Sequence, residues 1–98
     1  VTVPRLRSIA AIEQIARVAF FEKVRAQLGV PYVWGGTSPT GFDCSGLVQW
    51  AAASAGITGV PRTANDQFQG LPGVNSPRAG DLVFFAGSDG TLAQPGHV

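Results

Sequence analysis

Gly41-Phe42-Asp43-Cys44-Ser45-Gly46-Leu47 carries the only thiol of the 98-residue chain and opens a helix. Gly41 gives a flexible approach, and Asp43 is a good N-cap, its side-chain oxygen able to accept from free N–H groups of the first turn. Cys44 then falls at or beside the first helical position. There the helix dipole and unpaired N–H groups favour an anion, and the thiolate is the nucleophilic form of cysteine. Asp43 acts in the opposite sense, because a carboxylate beside the sulfur disfavours a second negative charge. A cationic partner is therefore needed, and the only histidine is His97. Alone, such a cysteine is more often a small buried hydrophobe, so the rest of the chain has to decide.

The helix opened at Cys44 is predicted to run to Ala55, with Gly56 as its stop. Its apolar face, Leu47, Val48, Ala51, Ala52 and Ala55, is broad and small enough to be the buried centre of the fold. Upstream, Val30-Pro31-Tyr32-Val33-Trp34 reads as a short extended piece entering a loop beneath this helix. Gly35-Gly36 lacks the residues of a phosphate loop or a dinucleotide fold, and is better explained by backbone passing close to another element. Trp50 is read as packing.

Downstream, Ile57 to Arg62 is a connector. Thr63-Ala64-Asn65-Asp66 resembles a capping box and predicts a short helix over 63–69. Residues 70–80 form a loop, and Asp81-Leu82-Val83-Phe84-Phe85 reads as an internal strand, apolar after an Asp assigned to turn or hydrogen-bonding duty. A turn over 86–90 follows, and a second strand is expected to begin at His97-Val98. At the amino end, residues 1–7 read as an extended lead-in. Ser8 to Leu28 reads as a helix capped by Ser8 and ended by Gly29. Ile12, Ile15, Ala19, Phe20, Val24 and Leu28 form its apolar stripe, with Glu13, Arg17, Lys23, Arg25 and Gln27 largely elsewhere.

Composition bounds the function. Hydrophobic residues make up 45% and charged ones 13%, which excludes a charge-rich disordered chain. The net charge is +1 without a Lys/Arg run, so nothing recommends nucleic acid or an anionic membrane as partner. One Cys and one His cannot furnish a zinc tetrad, and one Cys cannot form an internal disulfide. No apolar run approaches the ~20 residues of a membrane span. The amino end lacks a signal-peptide layout, which says nothing about export because the chain starts at Val1 without Met.

Five pieces of the chain, in order, resemble the NlpC/P60-type bacterial cell-wall cysteine peptidases, a compact papain-like branch. They are Pro31-Tyr32-Val33-Trp34-Gly35-Gly36, Phe42 to Val48, Pro61-Arg62-Thr63, Gly80 to Phe85, and Gly96-His97-Val98. The resemblance implies an α+β, papain-like fold with a Cys-bearing central helix packed on an antiparallel sheet and preceded by an N-terminal helix. Residues 1–26 would be an extension and 27–98 the peptidase domain. It implies a secreted enzyme of the cell wall or periplasm that hydrolyses peptidoglycan stem peptides, at the bond from D-γ-glutamyl to a diamino acid, meso-diaminopimelate or Lys, without a cofactor or metal.

Carried over by residue, Cys44 would be the nucleophile and His97 the general base, with Tyr32 near the sulfur polarising the carbonyl. Asp43 and Ser45 would receive the free amino end of the stem peptide, and Arg62 would face the same groove. The family's third catalytic residue, a His, Asn or Gln, and further strands are expected beyond Val98. The sequence is therefore expected to be a fragment accompanied by a C-terminal segment or other cell-wall domains. Without that third residue, a non-catalytic wall-binding module is an alternative; an acyltransferase or muramoyl-alanine amidase using the same site is another. An N-terminal helix could also cover such a groove.

Overall fold

The computed structural model describes residues 5–9 and 14–98. Its elements are β1 (Arg5–Arg7), α1 (Gln14–Arg25), β2 (Thr37–Ser38), β3 (Gly41–Phe42), α2 (Cys44–Ser54), α3 (Ala64–Gly70) and β4 (Leu82–Phe84). This is a small mixed fold of helices and antiparallel pairs: β1 pairs with β4 in the register Arg5 to Phe84, and β2 pairs with β3.

The centre is α2, as its small apolar face predicts. Val48, Ala51 and Ala52 join Phe20 of α1, Phe68 of α3, and Leu82 and Phe84 of β4 in one core. Phe84 is fully buried and meets Phe68 edge-on at 5.4 Å between ring centres. Burying each such side chain contributes about 1.5–3 kcal/mol. Trp50 packs as expected, 5.3 Å from the Phe42 ring.

Several sequence expectations change. Residues 5–7 of the lead-in form a strand, held down because the Arg7 guanidinium lies over the Phe68 ring at 3.8 Å while its Nε donates to the Phe68 carbonyl. The long helix starts later than Ser8: Ser8 and Ile9 are not helical, α1 is first described at Gln14, and Ile12 and Glu13 lie outside the described residues. The chain does turn at Gly29, where φ is +92°.

The apolar stripe of α1 is also narrower than its periodicity suggests. Phe20 is buried, whereas Ile15 and Leu28 are 81% and 83% exposed. Arg17, assigned to the polar face, is instead among the most buried side chains. It can be buried because its charge is matched: Nη2 bonds the Asp81 carboxylate at 2.5 Å and Nη1 donates to Ser8 Oγ at 2.9 Å. Asp81 also accepts from the Arg78 N–H, so the residue ahead of β4 anchors α1 to the sheet.

β4 is not internal on both faces. Leu82 and Phe84 are buried while Val83 and Phe85 stand partly exposed, the alternation of a strand covered on one side. One edge is taken by β1. On the other, Phe85 and His97 exchange both backbone hydrogen bonds as an antiparallel bridge, where the second strand was expected to begin.

Candidate active site

The site is built on the first turn of α2. Asp43 is its N-cap in extended conformation, and Oδ1 accepts from the Gly46 N–H at 2.6 Å, so Cys44 is the first helical residue. The loop before it crosses very close. The Gly36 carbonyl accepts from the Asp43 N–H at 3.0 Å, and a Cβ on Gly46 would collide with that carbonyl oxygen. A Cβ on Gly36 would in turn collide with the Gly41 carbonyl oxygen, so the close backbone approach expected of Gly35-Gly36 is found at Gly36. Tyr32 is mounted on this loop by a bridge to Phe42 and is 66% exposed. Trp34 is 89% exposed, so neither aromatic belongs to the core.

Arg62 closes over the same turn. Its Nη2 donates to Asp43 Oδ2 at 2.7 Å, while Nη1 donates to Asp43 Oδ1 at 3.1 Å and to Ser45 Oγ at 2.9 Å. Burial alone would push the Asp43 carboxyl up. The hydrogen bonds from Arg62 and the Gly46 N–H, with the guanidinium's charge, outweigh it, and the group sits below the ordinary carboxylate range. Arg62 is raised in turn, first by its hydrogen bond to Asp43. The carboxylate that would oppose a thiolate at Cys44 is thus paired with a cation two hydrogen bonds wide.

Gln67 holds these parts in register. Fully buried on α3, it donates through Nε2 to the carbonyls of Ser45 and Pro61, tying the first turn of α2 to the segment that presents Arg62. Its Oε1 is buried without a partner among the described residues. Thr63 caps α3 by accepting from the Asp66 N–H, which is the N-cap half of the capping box read in the sequence.

His97 arrives from the far end of the chain, fixed by the backbone bridge to Phe85. It lines one cleft of about 620 Å³ together with Cys44, Tyr32, Asp43, Ser45 and Arg62. All six residues singled out in the sequence therefore meet in one place. No described residue of α1 lines that cleft. Reading the sequence missed Trp34, Thr63 and the 87–89 turn, which also line it; only the Gly-Ser-Asp-Gly composition hinted at a loop there. A second, mostly apolar cavity of about 490 Å³ lies on the other side of Cys44 and His97, against Phe20, Val24 and Phe85.

A thiol at a helix start, an imidazole and a phenol hydroxyl around one cleft are the groups for attack on a carbonyl carbon with proton transfer to a leaving group. The NlpC/P60 family model matches residues 29–98, which contain every one of these groups. The chain belongs to the NlpC/P60 family. Among its relatives is the bifunctional muramidase/DL-endopeptidase CwlT of Bacillus subtilis, 51% identical over 76 residues, covering 70% of this chain and 23% of that protein. The murein DD-endopeptidase MepH of Escherichia coli is 43% identical over 81 residues, covering 78% and 30%. The gamma-D-glutamyl-L-lysine dipeptidyl-peptidase of Bacillus subtilis is 46% identical over 65 residues, covering 64% and 22%. This NlpC/P60 chain spans less than a third of the length of each of these three.

Proposed function

We propose that this protein is a cell-wall endopeptidase, exported to the wall or periplasm, that cleaves peptidoglycan stem peptides between D-γ-glutamate and a diamino acid. The observation that carries the reading is the convergence of Cys44, at the first position of α2, with His97 and Tyr32 on one cleft. The relatives' names, two of them endopeptidases acting on murein or DL bonds and one a γ-D-glutamyl-L-lysine peptidase, support the substrate class.

In this mechanism the Cys44 sulfur attacks the amide carbonyl, forming a C–S bond and a tetrahedral oxyanion. The Cys44 N–H, which has no hydrogen-bond partner among the described residues, and the Tyr32 hydroxyl are donors available to that oxygen. His97 takes the thiol proton and returns it to the leaving amine, releasing the diamino acid side. Water, deprotonated by the same imidazole, then hydrolyses the thioester. Arg62 neutralises Asp43 beside the attacking sulfur.

The chemistry belongs to residues 27–98 in a papain-like arrangement, and residues 1–26 are an extension whose described elements, β1 and α1, pack on it through β4 and Phe20. Cleavage of a synthetic stem tetrapeptide, followed by product mass spectrometry, tests the proposal. Cys44→Ala should abolish turnover, and retained cleavage would remove the thiol from the mechanism. Products cut at the muramoyl amide would refute the bond assignment.

A further inference from the structure

The charges of the cleft do not cancel, and the uncancelled one sits at a defined place. Besides His97, the charged side chains lining it are Asp43, Arg62 and Asp89. Both Asp43 oxygens are engaged by Arg62, and Oδ1 also takes the Gly46 N–H. Oδ2 accepts only one bond and keeps a lone pair, but the Asp43 charge is already matched by the Arg62 guanidinium. Asp89, in contrast, has no ion pair and no side-chain hydrogen bond among the described residues. With the imidazole neutral, the three charged groups sum to −1, and that charge is on Asp89.

The loop that carries Asp89 is held by bonds to its backbone. The loop is closed at its base by the Phe85–His97 bridge and by the Gly96 N–H donating to the Ala86 carbonyl at 3.0 Å. On its flank Gln69 Nε2 donates to the Ala93 carbonyl at 2.8 Å. A Cβ on Gly96 would collide with the Asp89 carboxylate, so the glycine makes the room in which that group lies. Asp89 also lines an adjoining pocket of about 310 Å³, with Asn65 and Gln94. It stands where the cleft opens into a second space, suited to a polar chain leaving the main groove.

We propose that Asp89 is the specificity-determining carboxylate that binds a primary ammonium of the substrate, a role separate from the Asp43–Arg62 pair. The proposal rests on the reading that the cleft receives a stem peptide. Two amines share the required chemistry: the free α-amine of the peptide's first residue and the side-chain amine of the diamino acid.

The test uses a Lys-containing stem tetrapeptide in three forms, free, α-N-acetylated and ε-N-acetylated. Each is titrated calorimetrically into Cys44→Ala and Cys44→Ala/Asp89→Asn proteins. Asp89→Asn should weaken the free peptide about three- to tenfold, between a screened surface pair and a charged hydrogen bond. The loss should grow at low salt. It should vanish for one acetylated form, and which form identifies the amine. Equal affinities for the free peptide, a loss that persists on both acetylated forms, or no binding to Cys44→Ala alone would each overturn it. Asp89→Ser replaces Asp89→Asn if the latter melts early. Failure of the peptidase reading would appear separately, as absent cleavage by the Cys44-intact protein, because this measurement reads binding.

Discussion

Replacing Asp81 with Ala strands a guanidinium in the interior. Arg17 and Asp81 have side chains only 2% and 3% exposed, and without the carboxylate the buried cation keeps one hydrogen bond, to Ser8 Oγ. Breaking a buried pair on one side costs about 3–5 kcal/mol. A domain of this size has about 5–15 kcal/mol in total and loses about 4–8 °C of Tm per kcal/mol, so the expected fall is roughly 12–40 °C. The informative comparison is Arg17→Met/Asp81→Leu, which removes both charges and fills similar volume. It should return to within about 1–2 kcal/mol of wild type, because the attraction of a buried pair roughly offsets its desolvation. Urea melts followed by circular dichroism measure both variants. An Asp81→Ala cost under about 1 kcal/mol, or a double variant no better than the single one, would refute the claim that this pair anchors α1 to β4.

Gln67→Leu should cost about 1–2 kcal/mol in the same melts: two carbonyls lose their donor, but the unpartnered Oε1 goes with it. A neutral result would mean the amide ties nothing together. Gly46→Ala sets two effects against each other. Helix propensity alone would stabilise by about 1 kcal/mol, whereas the collision with the Gly36 carbonyl should cost about 1–3 kcal/mol. A stabilised variant would disprove the close crossing. Because the folded Asp43 carboxyl is depressed, the stability it contributes is fully present above its unfolded value, about 3.9, and is lost as pH falls through the lower folded value. The melting gap between wild type and Asp43→Asn should therefore hold from neutral pH to about 5 and close in stronger acid; a gap constant down to about pH 2 would contradict the pairing.

What could be read in advance follows the range of the forces involved. The Cys44 and Ala64 helices were legible because caps act over three residues: Asp43 to Gly46, and Thr63 to Asp66. The six site residues were legible through their resemblance to a family, and they do meet in one cleft. Arg17 was not, since periodicity assigns any arginine to water and its partner is 64 residues away. β1 was hidden for the same reason, three residues whose strand partner lies near the other end of the chain. An unbroken apolar run concealed the alternating exposure of Leu82 to Phe85. Nothing in the sequence marked Gln67 as the tie between Ser45 and Pro61, or Asp89 as a wall of the cleft.

The Phe85–His97 bridge makes the imidazole's carrier a clasp rather than a hinge. Its two ends are sewn together by reciprocal backbone bonds of 2.9 and 3.2 Å, which depend on no side chain. Closing a longer ring costs little, about 0.6 kcal/mol for a doubling of length. Inserting residues at the exposed tip near Leu92 should therefore reshape the rim that incoming molecules meet while His97 stays at its post, leaving the cleft's outer wall free to diversify around a fixed imidazole.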